Sequence, residues 1–150
     1  MTDATISQSM PDWIKDHIAL YRADGDAGHL WIPPRGDSKP LTTLLLTTTG
    51  RKSGKQLLLP LIYRPTGDGA YCIIASKGGA PQHPAWYLNL MTDPNVEVQV
   101  ANDIFSAKAR VAEGPERAQL WELMADYFSP YNDYKVATER QIPVIILERN

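Results

Sequence analysis

A short basic turn in the first half of the chain carries residue types that can bind an anion. This turn, residues 50–54, has the sequence GRKSG and joins two apolar runs. Glycines at both of its ends permit a positive φ, so the turn can present backbone N–H groups, two cations and a hydroxyl together. The guanidinium of Arg51 can also donate two parallel hydrogen bonds to one phosphate. The turn therefore predicts an anion-binding site.

A second turn, residues 76–80 with the sequence SKGGA, follows a third apolar run. Its paired glycines, Gly78 and Gly79, allow a ligand to approach the backbone closely. Downstream, Trp86 and Tyr87 offer flat apolar surface. The two turns together predict a site for an anionic ligand that carries a planar ring system.

Aromatic residues near the C-terminus are a third candidate. Tyr127 is followed by Phe128, Tyr131 and Tyr134. The last three are spaced three residues apart, so a helix would place them on one face. Such a face can pack against the sheet or line a ligand pocket, and the spacing alone leaves both readings open.

Strands must position the two turns. Leu41–Thr49 and residues 55–63 are rich in leucine and β-branched residues and flank the basic turn. Residues 70–76 predict a third strand, which follows a hairpin loop at residues 66–69. The connections are too short to hold crossover helices, which predicts an antiparallel meander.

The second half of the chain supplies further strands and helices. Val96, Val98 and Val100 alternate with polar residues, which predicts a strand with one wet face. Residues 104–112 and 142–147 predict two more strands. Helices are predicted at residues 84–91, from a start at residues 114–116 to Phe128, and in a short segment that begins with residues 131–134. Six strands with three or four helices predict an α+β domain, in which an antiparallel sheet curls into a barrel with flanking helices.

The N-terminal part predicts one helix and a long loop. Residues 1–8 are polar and are expected to be disordered, whereas Ser9 can cap a helix over residues 9–22. The polar face of this helix mixes acids and bases, so packing on the domain is favoured over a peripheral membrane contact. Residues 23–40 predict a loop, whose apolar segment 30–32 is expected to cover the core rather than to close over the site. The apolar face of the helix comprises Met10, Trp13, Ile14, Ile18 and Tyr21.

Composition excludes several classes of protein. With 150 residues and a formal net charge of -2, the chain fits one domain, residues 1–150, and gives no reason to expect nucleic-acid binding. Its single cysteine, Cys72, excludes an internal disulfide and is expected to be a buried packing residue. No apolar run of about 18 residues and no signal sequence is present, so a cytoplasmic protein is expected.

Signatures of other enzyme classes are absent from the sequence. His17, His29 and His83 lack metal-ligand spacing, so no metal site is expected, and His83 has no obvious partner. The basic turn is not a P-loop, because its glycines are one residue too close together and a strand follows where a helix is needed. Neither a Gly-x-Ser-x-Gly elbow nor a Rossmann fingerprint occurs.

Four segments occur in the order and spacing of a known family: TTGRKSG at residues 48–54, PL at 60–61, ASKGGA at 75–80 and PAWYLNL at 84–90. The chain resembles the deazaflavin-dependent nitroreductase and quinone reductase family, and the resemblance extends from Leu41 to the C-terminus. Family members use the reduced deazaflavin coenzyme F420. The resemblance implies a split β-barrel of the FMN-binding type. It also implies hydride transfer from reduced F420 to a quinone, enone or nitro-type acceptor.

The resemblance further implies a role for each candidate segment. The basic turn would hold the phosphate and the acidic tail of the deazaflavin, and the backbone at residues 74–77 would lie along its ring. Tyr131 and Tyr134 would line the acceptor pocket, and Ser76 would donate a hydrogen bond to the acceptor's oxygen. The implied cofactor-binding residues are Arg51, Lys52, Ser53, Leu57, Leu58, Leu59, Pro60, Leu61, Ile62, Ile74, Ala75, Ser76, Lys77, Ala85, Trp86, Tyr87, Leu88, Asn89 and Tyr131.

Two positions depart from the family pattern. Leu57 stands where the family usually has an arginine, so either Lys55 supplies the missing cation or the cofactor is FMN or FAD on the same fold. Phe128 stands where related nitroreductases have another tyrosine, which leaves the acceptor open. A further alternative is a non-catalytic carrier of a tetrapyrrole, a lipid or the deazaflavin itself. Exposed antiparallel edges would permit a homodimer.

Overall fold

The computed structural model describes residues 10–33 and 39–150, which form an antiparallel sheet with flanking helices. Its strands are β1 (Leu30–Trp31), β2 (Leu41–Thr49), β3 (Gln56–Ile62), β4 (Arg64–Pro65), β5 (Tyr71–Ile74), β6 (Asn95–Val100), β7 (Asp103–Val111) and β8 (Val144–Arg149). Its helices are α1 (Asp12–Ala23), α2 (Gly25–His29), α3 (Ala85–Thr92), α4 (Gly114–Tyr127) and α5 (Pro130–Ala137).

The sheet curls because two strands that are consecutive in the chain lie at its two opposite edges. Across the sheet the strands follow the order β3-β2-β6-β7-β8-β5-β4, and β1 pairs with the first residues of β2. β3 and β4 are consecutive in sequence and only Tyr63 separates them, yet they pair with β2 and β5 respectively. The chain thus bridges the two ends at Tyr63. This arrangement confirms the predicted α+β class and the antiparallel split barrel.

β5 and β8 are apolar on both faces because both faces are covered. Ile73 and Ile145 pack in the barrel interior with Leu44. Cys72 and Ile146 alternate to the opposite face, where they pack with residues of α4. These five side chains are at most 2 % exposed, and burying each contributes about 1.5–3 kcal/mol. Burial also raises the pKa of the Cys72 thiol to about 12, which confirms the predicted packing role.

The strands lie close to their predicted positions, and the clearest difference is at the bend that follows β5. On β7, Ala107 and Ala109 are buried while Lys108 and Arg110 are exposed, as the alternation predicts. The predicted strand at residues 70–76 is too long, because the ladder with β8 ends at Ile74 and the chain then bends.

Helix α1 packs on the sheet through the C-terminal part of its apolar face. Ile18 and Tyr21 are fully buried against Leu45 and Leu58. The Tyr21 hydroxyl donates to the carbonyl of Thr43 at 2.8 Å, and burial raises its pKa to about 12. The helix begins at Asp12, and the predictions for residues 1–8 and for the Ser9 cap lie outside the described residues. Within residues 10–33 and 39–150, no helix is long and apolar enough to cross a membrane.

The segment after α1 differs most from its prediction. Residues 23–40 were expected to form a loop, but they include α2 and β1. Leu30 and Ile32 are 53 % and 63 % exposed, so the prediction that they cover the core is wrong. Trp31 instead stacks on Trp13 of α1, with ring centroids 5.5 Å apart. The pairing of β1 with β2 holds this stack beside the end of β3.

Candidate active site

The basic turn between β2 and β3 is held mainly by its own backbone. The N–H of Gly50 donates to the carbonyl of Lys55 at 2.7 Å, and the N–H of Gly54 donates to the carbonyl of Gly50 at 2.9 Å. The N–H of Lys55 donates to Oγ of Ser53 at 3.1 Å. The turn therefore offers an anion fewer free N–H groups than its sequence suggests. Those of Lys52 and Ser53 make no hydrogen bond to any described residue.

Asn89 of α3 fixes Arg51 within this turn. Oδ1 of Asn89 accepts from the backbone N–H of Arg51 at 3.1 Å and from its Nη1 at 2.9 Å. Nδ2 of Asn89 donates to Oγ1 of Thr48 at 3.3 Å, and the residue is only 2 % exposed. Nη1 of Arg51 also lies 3.5 Å from the carbonyl oxygen of Ala85. Nε and Nη2 make no hydrogen bond to a described residue, so one edge of the guanidinium is available to an anion.

The rest of the segment at residues 85–89 is divided between the core and the surface. Trp86 is 8 % exposed and packs in the barrel core. Ala85 is exposed, and Tyr87 and Leu88 are half-buried. The structure therefore places Trp86 and Asn89 where they support the site, and Ala85, Tyr87 and Leu88 where a ligand can reach them.

β3 leads from the basic turn to a cavity at its other end. Leu58 is 5 % exposed and packs towards α1, whereas Leu57 and Leu59 are half-buried. The last residues of the strand, residues 60–62, line the cavity. A ligand that lies along β3 can thus contact the turn and the cavity together.

This cavity has a volume of about 400 Å³, which is within the range of small-molecule sites. Three groups of residues form its walls: the strands and the bend after β5, the aromatic segment around α5, and the N-terminal elements α1 and β1. The lining residues are Trp13, Ile14, His17, Trp31, Thr43, Pro60, Leu61, Ile62, Ile74, Ser76, Gly78, Phe128, Tyr131 and Tyr134.

Three hydroxyl groups lie in this largely apolar cavity without partners among the described residues. Ser76, Tyr131 and Tyr134 line it, and none of their side-chain oxygens bonds to another described residue. Tyr131 is 5 % exposed, and burial raises the pKa of its phenol above the ordinary range. The phenol therefore stays protonated and can donate a hydrogen bond to a ligand oxygen. Its ring meets those of Phe128 and Tyr134 edge-on, with centroids 5.1 and 6.2 Å away.

The N-terminal wall was not expected in the site. Trp13 and Trp31 stack at an interplanar angle of 13°, and His17 stacks on Trp31 at 6.4 Å. Nε2 of His17 lies 2.8 Å from the carbonyl oxygen of Gly28, which holds the ring in place. Trp31 thus lines the cavity, whereas residues 30–32 were expected to cover the core; their role as a lid over the site, the less favoured prediction, stays a prediction. The aromatic residues were visible in the sequence, but the place where the segment docks was not.

The bend after β5 has an unusual backbone. Lys77, Gly78 and Gly79 have φ values of 46°, 62° and 81°, and only glycine adopts such values readily. A Cβ on Gly79 would lie 3.0 Å from Cα of Tyr134, so α5 packs directly on the bend. Ile74 and Ala75, at the start of the bend, are buried and Ser76 is half-buried, whereas Lys77 is exposed.

Arg140 was not predicted from the sequence as part of the site, yet it donates hydrogen bonds to backbone carbonyls before and after this bend. Its guanidinium donates to the carbonyls of Ala75, Ser76 and Ala80 at 3.3, 2.7 and 2.8 Å. Its Nη1 also lies 3.1 Å from Nδ1 of His83. His83, for which the sequence offers no obvious partner, thus lies beside Arg140. Burial and the adjacent guanidinium lower the pKa of His83.

The basic turn and the glycine bend flank the same short segment, residues 83–85. Arg51 reaches the carbonyl of Ala85 from one side, and Arg140, which holds the bend, reaches His83 from the other. Both predicted halves of the site therefore lie at the N-terminal end of α3. Among the described residues, no group of three or more His, Cys, Asp or Glu side chains could hold a metal ion.

The fold and the site define a class: a split-barrel protein with a cationic turn at one end of β3 and a largely apolar cavity of small-molecule size at the other. A family model described as F420H(2)-dependent quinone reductase matches residues 13–149. The chain belongs to this family, is an oxidoreductase, and uses reduced F420 as its cofactor. The predicted family, enzyme class and cofactor are thereby confirmed.

Individual relatives agree with this assignment. An F420H(2)-dependent quinone reductase of Mycobacterium tuberculosis is 39% identical over 137 residues, which cover 89% of this chain and 87% of that protein. A solved F420-H2 dependent reductase, FDR-A, is 42% identical with a TM-score of 0.65, covering 71% of this chain and 93% of its own. A solved domain-swapped dimer is 37% identical with a TM-score of 0.67, covering 91% and 98%.

Proposed function

We propose that this chain reduces a quinone bound in the cavity, between the glycine bend and the tyrosines of α5. The observation that supports this proposal is the set of three unpartnered hydroxyls in an apolar cavity that adjoins a cationic turn along β3. When bound, reduced F420 supplies the hydride. The residues of the chain bind, orient and shield the reactants, and they need no covalent chemistry of their own.

The basic turn fits the anionic tail of F420. Arg51, Lys52 and Lys55 are exposed and cluster within five residues, and the ion pairs found in the described part of the chain include none of them. Arg51 presents a pre-positioned guanidinium edge, because Asn89 holds its Nη1. Lys55 adds a cation close to Leu57, where the family usually has arginine. The residues present therefore fit a phosphate and carboxylates.

The ring of the cofactor fits between β3 and the bend. Residues 60–62 supply an apolar surface. The carbonyls of Ala75 and Ser76 are bonded to Arg140, so the backbone N–H groups of Ser76 and Lys77 are the polar groups that this segment can offer to the ring. Ala85, Tyr87 and Leu88 border the path from this surface to the basic turn. Trp31 and Phe128 line the cavity with apolar rings, and a bound ligand that displaces water from this space would strengthen each polar interaction inside it.

The hydroxyls fit the chemistry of a quinone acceptor. When a hydride adds to the conjugated ring of a quinone, negative charge develops on a carbonyl oxygen. That oxygen then takes up one proton. Tyr131 remains protonated in its buried position and donates to that oxygen as charge develops. Tyr134 and Ser76 supply a second and a third donor around the same space. Enones and nitro compounds develop charge on oxygen in the same way, and they form the wider acceptor class.

The direct experiment mixes the protein anaerobically with reduced F420 and a water-soluble naphthoquinone. The appearance of oxidised deazaflavin is followed by absorbance, and titrations with F420, FMN and FAD are run side by side. We expect protein-dependent oxidation and tighter binding of F420 than of either flavin. Tight F420 binding without oxidation by any quinone, enone or nitroaromatic in a panel would instead indicate a carrier.

Leu57 removes a cation from the tail site relative to the usual pattern of the family. Tighter binding of FMN or FAD than of F420 in the same titration would contradict the proposed fit of the F420 tail.

The chain is also proposed to form a dimer. The relative at 37% identity is a domain-swapped dimer that aligns over 91% of this chain, and Leu30, Ile32 and Val136 are more than half exposed. Light scattering after size exclusion tests this directly. A mass of one chain, unchanged at high concentration, would refute it.

A further inference from the structure

We propose that Arg140 is a positioning residue, which sets the separation between the glycine bend and α5 and thereby the geometry of hydride transfer. The inference rests on the proposed function of the cavity. Its basis is that one guanidinium contacts both sides of the bend. Nη1 and Nη2 donate to the carbonyls of Ala75 and Ser76 before it, and Nε donates to the carbonyl of Ala80 after it.

The contacts of Arg140 are made to backbone oxygens rather than to carboxylates. Arg110 and Arg149 pair with acidic side chains at the surface, whereas none of the hydrogen-bond partners of Arg140 among the described residues is acidic. Burial lowers its pKa, so the cation has lost part of its hydration without gaining a counter-ion from residues 10–33 or 39–150. A planar guanidinium spreads its donors over three nitrogens in a fixed fork, whereas an ammonium holds its three donors on one atom and cannot span the same set of carbonyls.

The bend needs such an external restraint. Lys77 has a φ of 46° although it carries a side chain, and Gly78 and Gly79 continue in the left-handed region. Backbone of this kind persists where its surroundings hold it in place. Within the bend, Gly79 and Ala80 donate to the carbonyls of Ser76 and Lys77. Arg140 adds the bonds that fix where this unit lies relative to the rest of the site.

The same residue connects the bend to the helix that carries the tyrosines. Arg140 follows α5, which ends at Ala137, and its backbone N–H donates to Oγ1 of Thr138 at 3.3 Å. Gly79 packs against Tyr134 and Ala137 with no room for a Cβ. The position of the Ser76 hydroxyl relative to that of Tyr134 therefore depends on a short path through Arg140.

The consequence is a specific kinetic phenotype. The basic turn has its own support from Asn89, so loss of Arg140 leaves the grip on the cofactor tail in place. The ring and the acceptor would lose their fixed separation, and a displacement of about 1 Å can reduce the rate of a reaction by roughly 100-fold. Binding and chemistry should thus respond differently to substitution of this residue.

The test compares Arg140→Ala and Arg140→Lys with Arg117→Ala as a matched control. Arg117 is also partly buried and donates to a backbone carbonyl, that of Ile142 at 2.7 Å, but it does not contact the bend. Three quantities are measured for each variant: the Kd for F420 by fluorescence titration, the single-turnover rate of oxidation of reduced F420 by a naphthoquinone, and hydrogen exchange of the amides at residues 77–80 in the ligand-free protein.

For Arg140→Ala we expect a rate about 10–100-fold lower, a Kd within about threefold of the original, and exchange at the bend at least about tenfold faster. Arg140→Lys should resemble Arg140→Ala in all three, and Arg117→Ala should resemble the unmodified protein. If Arg140→Ala does not fold, Arg140→Lys carries the same test. The proposal would be overturned if Arg140→Lys kept the single-turnover rate and the amide protection of the unmodified protein. It would also be overturned if Arg117→Ala lost as much rate and protection as Arg140→Ala. If the unmodified protein does not oxidise reduced F420 at all, the proposed function fails, while exchange at the bend still decides whether Arg140 restrains it.

Discussion

Replacing Arg51 with alanine tests how the basic turn contributes to binding. The structure leaves Nε and Nη2 of Arg51 available to an anion, while Nη1 is bonded to Asn89. The backbone N–H of Arg51 also donates to Asn89 at 3.1 Å, and this bond survives in the alanine variant. The turn should therefore keep its shape, and the substitution removes the cation together with its Nη1 bond to Asn89.

The expected magnitude follows from the bonds that are lost. A hydrogen bond to a charged group contributes about 1.5–3 kcal/mol, and each 1.4 kcal/mol corresponds to a tenfold change in affinity. Because the site is exposed, solvent screens the interaction and the lower part of the range applies. We expect the Kd for F420 to rise about 10–30-fold. The single-turnover rate at saturating F420 should change by less than about threefold, because the turn lies at the far end of β3 from the cavity.

Fluorescence titration and stopped-flow oxidation of reduced F420 measure the two quantities separately. Lys108→Ala is the matched control, because it removes one exposed cation from β7, outside the site. An unchanged Kd together with a large loss of rate at saturation would refute the assignment of the cofactor tail to Arg51. Equal weakening in Lys108→Ala would show that only net charge matters.

Three further predictions concern other parts of the site. Tyr131→Phe removes one donor from the cavity but keeps the buried ring, so the single-turnover rate should fall about 10–100-fold with little change in the Kd for F420; an unchanged rate would exclude the phenol as a donor. Asn89→Ala removes the partner of two Arg51 donors and of the Thr48 hydroxyl. The free energy of unfolding, measured by urea denaturation, should fall by about 1–3 kcal/mol; an unchanged free energy would show that the amide does not support the turn. The pKa of His83 is lowered below its ordinary 6.5 by burial and by the adjacent guanidinium, so the unfolded chain takes up a proton first as the pH falls. The free energy of unfolding should therefore decline as the pH falls below 6.5, until the pKa of the folded state is passed. In His83→Gln it should decline less over the same pH range; identical pH profiles of the two proteins would contradict this.

Patterns that depend on local periodicity were predictable from the sequence. The alternation of Ala107 and Ala109 with Lys108 and Arg110 identified the inner face of β7, because a half-buried strand must alternate. The apolar run around Ile73 identified a strand, although its end at Ile74 was missed. That end depends on the bend, whose left-handed residues the paired glycines only suggested.

Contacts made through the backbone were not predictable. Arg140 bonds to three carbonyl oxygens, and every residue type has a carbonyl, so no sequence signal marks its partners. Trp13 and Trp31 were visible as aromatic residues, but their place in the cavity depends on where β1 pairs with β2. Asn89 lay within a recognised motif, yet only its burial and its bonds to Arg51 identify it as the support of the turn.

The most direct test of the central claim is a titration of the isotope-labelled protein with F420, followed by the amide shifts in NMR spectra. A single ligand that spans β3 should shift the amides of Lys52 and Ser53 and those of residues 74–77 with one common Kd. The deazaflavin ring without its phosphate tail should shift only the second group. Shifts confined to one group on addition of intact F420, or two groups with different Kd values, would contradict a single site that reaches from the basic turn to the bend.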